Sequence, residues 1–181
     1  MFRRLRNNAM NASPLGPAQM QALNQANQLL ANGQPVVAAP IFAQLASNME
    51  TSNHPRRAAN LHAQAAHAFA DANEEQAALT QARRALTLFI QYQMVRRTPV
   101  FYANITHKFT NKGMKTSADA LAKEFGATVG SLPVPAPAAA SHGVLPTNCP
   151  KCGAPIHSSD ANWVDANTAE CDYCGASIRA T

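Results

Sequence analysis

Four cysteines near the C-terminus are the residues best suited to chemistry. They read Cys149-Pro-Lys-Cys152-Gly and, after eighteen intervening residues, Cys171-Asp-Tyr-Cys174-Gly. Two C-x2-C pairs at this gap have the spacing of a structural zinc site. Zinc takes four soft ligands in a tetrahedron at about 2.3 Å, and two tight turns can each supply a pair of thiolates. The glycine after each second cysteine permits a positive φ, which lets backbone N–H groups turn towards sulfur. No other cysteine exists in the chain, so Cys149, Cys152, Cys171 and Cys174 are the expected ligands of one structural Zn2+. The same spacing also admits a four-thiolate iron site or two disulfides.

Little else points to a reaction. G-x-x-x-x-G-K, G-x-S-x-G, H-E-x-x-H and G-x-G-x-x-G are all missing. With the cysteines committed to metal, the best nucleophile is gone, and four thiolates close the shell that a catalytic zinc keeps open. Glu74-Glu75 is the only paired carboxylate; at the start of an expected helix it complements the helix dipole. His142 and His157 read as surface histidines. The expectation is a protein without catalytic activity.

Basic residues form a second pattern. Between Glu75 and Asp119 no acid occurs, while Arg83, Arg84, Arg96, Arg97, Lys108, Lys112 and Lys115 do, with Phe101, Tyr102 and Phe109 among them. Such a stretch is either a surface for phosphate or acidic partners or an ordinary solvated face over core aromatics. Residues 1–148 carry thirteen Lys/Arg against six Asp/Glu; residues 149–181 carry two against four. Zinc with four thiolates takes the C-terminal part further negative. Any nucleic-acid contact is therefore expected on the basic stretch and not at the cysteines.

Around these residues, 181 positions suffice for one ordinary domain and a small one. Hydrophobic content is 46% with only 6% aromatics, and much of it is alanine, which suits closely packed helices. Pro17, Pro35, Pro55 and Pro99 mark expected first helical turns, with Asn53 or His54 and Thr98 as caps, and Gly33 and Gly113 mark stops. Apolar spacing then predicts six helices at about 17–32, 35–49, 55–71, 74–94, 99–112 and 116–125. The expected organisation is a flexible basic N-terminus (1–16), a helical repeat domain (17–125), a Pro/Ala linker (126–146) and a cysteine module (147–181). No apolar run approaches the roughly 20 residues of a membrane span. Met1–Arg6 is basic, but no apolar region of the secretory kind follows, and Pro14, Gly16 and Pro17 argue against a transit peptide. Paired, metal-type cysteines fit a reducing cytoplasm.

The helices repeat. A shift of 39 superposes Ala26 on Ala65, Leu30 on Phe69, Ala39 on Ala78 and Ala46 on Ala85; a shift of 40 carries Phe69 to Phe109 and Ala82 to Ala122. In Ala58 to Phe89 the chain resembles a tetratricopeptide repeat, through Ala65, Ala66, Phe69, Ala78, Ala82 and Ala85. It departs from that family in having Leu23 or His62 at the tryptophan position, no closing proline, and a period of 39–40. The resemblance implies three stacked helical hairpins whose first helices line a groove, placing Asn24, Gln28, Asn60, His67 and His107 on the partner-binding face. The C-terminal stretch resembles the zinc-ribbon family, with Cys-Pro-Lys-Cys-Gly-Ala-Pro-Ile matched by Cys-Asp-Tyr-Cys-Gly-Ala-Ser-Ile, a hairpin between, and Trp163 packing in that hairpin. The expected whole is a mainly α protein: a tetratricopeptide-like helical-hairpin domain plus a small β zinc ribbon. The expected role is an adaptor that binds a protein or peptide partner, the alternative a nucleic-acid-associated factor using its basic helical surface.

Overall fold

The structure, a computed structural model, describes residues 15–133, 142–156 and 161–181. The basic Met1–Arg6 stretch, residues 134–141 of the Pro/Ala linker and His157 lie outside the described residues. Six helices precede three short strands: α1 (Pro17–Ala31), α2 (Pro35–Thr51), α3 (Pro55–Asp71), α4 (Glu75–Gln91), α5 (Arg97–Asn111), α6 (Lys115–Gly130), then β1 (Asn162–Asp165), β2 (Thr168–Glu170) and β3 (Ser177–Arg179). The chain divides into two compact units. One spans Gln25–Ala136; the other combines Met1–Asn24 with Pro137–Thr181.

Successive helices from α1 to α6 are joined by one recurring turn. Gly33, Asn53, Asn73, Gln93 and Gly113 all have positive φ, between 52° and 76°, and they recur every twenty residues. At each, the next residue's N–H reaches back five positions: Gln34 to Leu29, His54 to Met49, Glu74 to Phe69, Met94 to Phe89 and Met114 to Phe109, at 2.8–2.9 Å. This is the Schellman closure, which satisfies carbonyls that a helix end would otherwise orphan. Of the two residues expected to cap α3, Asn53 terminates α2, while His54 is the N-cap residue, without a side-chain hydrogen bond. The expected cap at Thr98 is corrected. Thr98 lies inside α5, buried, with its hydroxyl donating to the Met94 carbonyl at 3.0 Å.

Alanine decides the packing. α2 buries Ala38, Ala39, Phe42, Leu45, Ala46 and Met49. α3 buries side chains around most of its circumference, including Ala58, Ala59, Ala63, Ala65, Ala66, Ala68 and Ala70. Methyl-sized side chains let α2 and α4 both approach α3 closely, and α5 touches it as well. α5 and α6 form a second closely packed pair, held by Phe101, Ile105, Phe109, Leu121 and Phe125. The three-hairpin expectation therefore needs correction at its start. α2 takes α3 as its principal partner, and α1 makes no comparable contact with another helix. Only Leu23 and Ala26 of α1 are buried, too little apolar surface for a hairpin with α2. At its other end the helical run exceeds expectation, since α6 continues to Gly130.

In the cysteine-bearing unit, β1, β2 and β3 form an antiparallel sheet in that order. Val144 and Thr181 exchange both backbone hydrogen bonds, at 3.1 and 3.0 Å. The ordered module thus begins ahead of Thr147, within the stretch expected as linker.

Candidate metal centre and interhelical cleft

The two cysteine pairs sit in turns of the same construction. Cys149 N–H donates to the Ala154 carbonyl and Gly153 N–H to the Cys149 carbonyl, both at 2.8 Å. Cys171 and Ala176, then Gly175 and Cys171, repeat both bonds at 2.8 Å. Gly153 and Gly175 have φ of 72° and 74°, conformations that a side chain would strain. The Lys151 amide hydrogen-bonds the Cys149 sulfur, the Cys174 amide that of Cys171, and the Ala176 amide that of Cys174. The expected N–H-to-sulfur bonds are therefore present at both turns.

All four Sγ atoms are buried and lie within 4.8 Å of one another. Cys149 and Cys174 are 3.8 Å apart and Cys152 and Cys171 are 3.7 Å apart. A tetrahedron with sulfur at about 2.3 Å from its centre has edges of about 3.8 Å, so the donor set fits one four-coordinate metal. These separations are far too long for the disulfide alternative, whose bond is about 2.05 Å. Cys149 is held far below the ordinary thiol range by hydrogen bonding from Cys152, then from Cys171 and Cys174, against burial. Cys152 is pushed up by the same bond to Cys149, with Cys171, Cys174 and burial acting alike. Four thiolates this close need a cation among them, and metal binding then displaces protons. In the same unit, Trp163 of β1 stacks on His142 at 4.2 Å between ring centroids, 9° from parallel.

In the helical unit, the residues singled out in the sequence fall into three places. His67, His107, Lys108 and Lys112 come together. With Asp71, Asn104 and Asn111 they line a cleft of about 490 Å³. Positions 104, 107, 108 and 111 follow the i, i+3, i+4, i+7 rule of one face of α5, and 67 and 71 are one turn apart on α3. Lys108 Nζ donates to both Asp71 carboxylate oxygens, at 2.9 and 2.7 Å, and Lys112 Nζ donates to the Asp71 carbonyl at 3.3 Å. The His67 ring meets Phe101 edge-on at 5.4 Å, and its Nδ1 is buried with no hydrogen-bond partner. Burial first, then Lys108, push the His67 pKa down to about 4, with Asp71 opposing.

The remaining groove candidates are elsewhere. Asn24 and Gln28 are on α1 and do not line the cleft. Asn60 is only 2% exposed; its Oδ1 accepts from Arg97 Nη1 at 2.7 Å. It is a core residue and offers no surface for a partner.

The basic stretch is not one free face. Arg83 Nε donates to Glu124 Oε2 at 2.7 Å. Arg84 Nε donates to Glu50 Oε1 at 2.9 Å, with a second bond from Arg84 Nη2 to Glu50 Oε2. Arg96 and Lys115 are exposed at the starts of α5 and α6. Glu50 also meets His62 Nε2 at 2.6 Å, and His62 Nδ1 meets Gln81 Oε1 at 2.6 Å. This network ties α2, α3 and α4 together, and the sequence reading did not find it. The Arg84 hydrogen bond holds the Glu50 carboxyl below its usual range, against burial and with help from His62.

Comparison with protein families, with curated proteins and with solved structures finds no match to this chain.

Proposed function

We propose that this protein is a non-catalytic, cytoplasmic adaptor. In this reading a zinc ribbon is held together by Cys149, Cys152, Cys171 and Cys174, and a tetratricopeptide-like helical unit recognises a protein partner. Zinc is favoured because the four buried sulfurs fit a closed tetrahedral shell, which suits a structural ion. The repeat reading rests on the twenty-residue recurrence of the αL turn and on the stacking of α3–α4 against α5–α6.

One observation carries the choice of adaptor over nucleic-acid factor: three of the seven basic side chains of the 83–115 stretch are spent on internal acids. Arg83, Arg84 and Lys108 pair with Glu124, Glu50 and Asp71, so the positive field that a phosphate backbone requires is reduced. The test is capture by tagged full-length protein, with and without nuclease, alongside titration with duplex DNA and single-stranded RNA. The expected outcome is a nuclease-resistant protein partner and no saturable nucleic-acid binding at physiological salt. Binding of either nucleic acid with a steep inverse dependence on salt would favour the alternative.

A further inference from the structure

We propose that the α3–α5 cleft is a binding site for a small organic carboxylate. The inference stands apart from the adaptor reading, because its test requires no protein partner.

The cleft's volume of about 490 Å³ falls within the range of small-molecule sites, roughly 300–1,000 Å³. Its polar lining comes from two helices: His67 and Asp71 of α3, and Asn104, His107, Lys108, Asn111 and Lys112 at and beyond α5. The charges nearly cancel. Asp71 is neutralised by the bidentate Lys108 contact. Lys112 meets only a backbone carbonyl, at 3.3 Å, and no carboxylate. One positive charge is left for a ligand to answer, together with the side-chain amides of Asn104 and Asn111. The Asn111 amide nitrogen already lies 3.3 Å from His107 Nδ1, which holds it on the cleft-lining face of α5.

A single uncompensated ammonium beside two amide donors matches a singly charged carboxylate. It under-compensates a phosphate monoester, which carries close to two charges at neutral pH. A carboxylate alone would leave most of the volume empty, so the group is the head of a larger organic acid. His67 supplies a further reason. Its Nδ1 has no partner, and among the groups facing it Lys108 disfavours a proton while Asp71 favours one. An anion in the cleft would add to Asp71's influence. Proton binding at His67 and anion binding would then strengthen each other, as linkage requires.

The experiment is an amide-resolved NMR titration of the full chain with sodium acetate. Sodium phosphate and sodium chloride serve as comparison arms at fixed ionic strength. Acetate should shift the Asn104, His107, Asn111 and Lys112 signals saturably, chloride should not, and phosphate should bind no more tightly than acetate. Lys112→Met should weaken acetate by about fivefold, the upper end of the worth of one exposed ion pair. Asn104→Asp, which places a negative charge on the exposed wall, should weaken it at least as much, and Lys115→Met, outside the cleft, should change nothing. The His67 ring signals should titrate at higher pH in saturating acetate. Shifts that never saturate, an equal response to chloride, or unaltered acetate binding in both cleft variants would overturn the site. Tighter binding of phosphate would overturn its assignment to carboxylates.

Discussion

His67 and Asn60 sit on the same helix and answer different questions about polar groups inside an alanine-rich core. With its pKa lowered to about 4 by burial, His67 stays neutral in the folded chain while the unfolded chain binds a proton below about 6.5. Between these values the unfolded state holds more protons, so stability is full above pH 6.5 and falls as pH drops towards 4. The loss reaches about 3 kcal/mol at most. Urea titrations between pH 7.5 and 4.5 should show the decline, and His67→Gln should flatten it. An identical slope in the variant would mean that other groups carry the dependence. Asn60 accepts from Arg97 while buried. Asn60→Ala should therefore cost roughly 1–3 kcal/mol by leaving a charged donor without its acceptor, measured by the same titration. Neither role was legible from local sequence: the Arg97 that holds Asn60 in the core lies 37 positions away.

The helices were legible because Pro and Gly punctuate them, and α3 was read over its whole length, 55–71. Their terminators were only partly so. Gly33 and Gly113 announced αL turns, but Asn53, Asn73 and Gln93 occupy the same conformation with side chains. Glutamine gives no sequence signal for it, because a residue with a Cβ adopts it at a cost of about 1 kcal/mol. Gln93→Gly should consequently raise stability by about 0.5–1 kcal/mol, read as an increase in Tm. No change would mean that the unfolded-state entropy of glycine cancels the relief of strain. The cysteine turns were the most legible element of all, since two C-x2-C-G runs specify both the thiolates and the positive-φ glycines. Where the spacing left metal and disulfide both open, the sulfur separations of 3.7 and 3.8 Å fit a single metal site and are too long for a disulfide.

Across the whole molecule, the partners of the basic stretch could not be read along the chain. The acid-free stretch after Glu75 left open a surface for acidic partners or an ordinary solvated face. Its partners are Glu50, Asp71 and Glu124, which lie 34, 37 and 41 positions from Arg84, Lys108 and Arg83. Those separations approximate two helices with their turns, so the pairing appears only once the helices pack. The two compact units should also lose structure separately. The cysteine-bearing unit buries too little to offset its chain entropy without metal, whereas the helical unit has a continuous core. If that unit holds one metal ion, a strong chelator, or Cys171→Ser, should release one equivalent and collapse the dispersion of its signals. The helical unit's thermal transition should stay within a few degrees of its original value. Loss of both together would refute that independence.

The five αL turns at positions 33, 53, 73, 93 and 113 also set the step in which this chain can change length. Each helix from α2 to α5, with its turn, occupies the same twenty residues, so gaining or losing one reverses the chain's direction and exchanges the surfaces that face each other. A forty-residue segment restores both. Duplication of residues 54–93 is thus the smallest enlargement that keeps that direction. It would preserve the junction of α4 with α5 and add one, of α4 with a second α3, that the chain does not yet contain. An insertion of ten or thirty residues would have to find a loop.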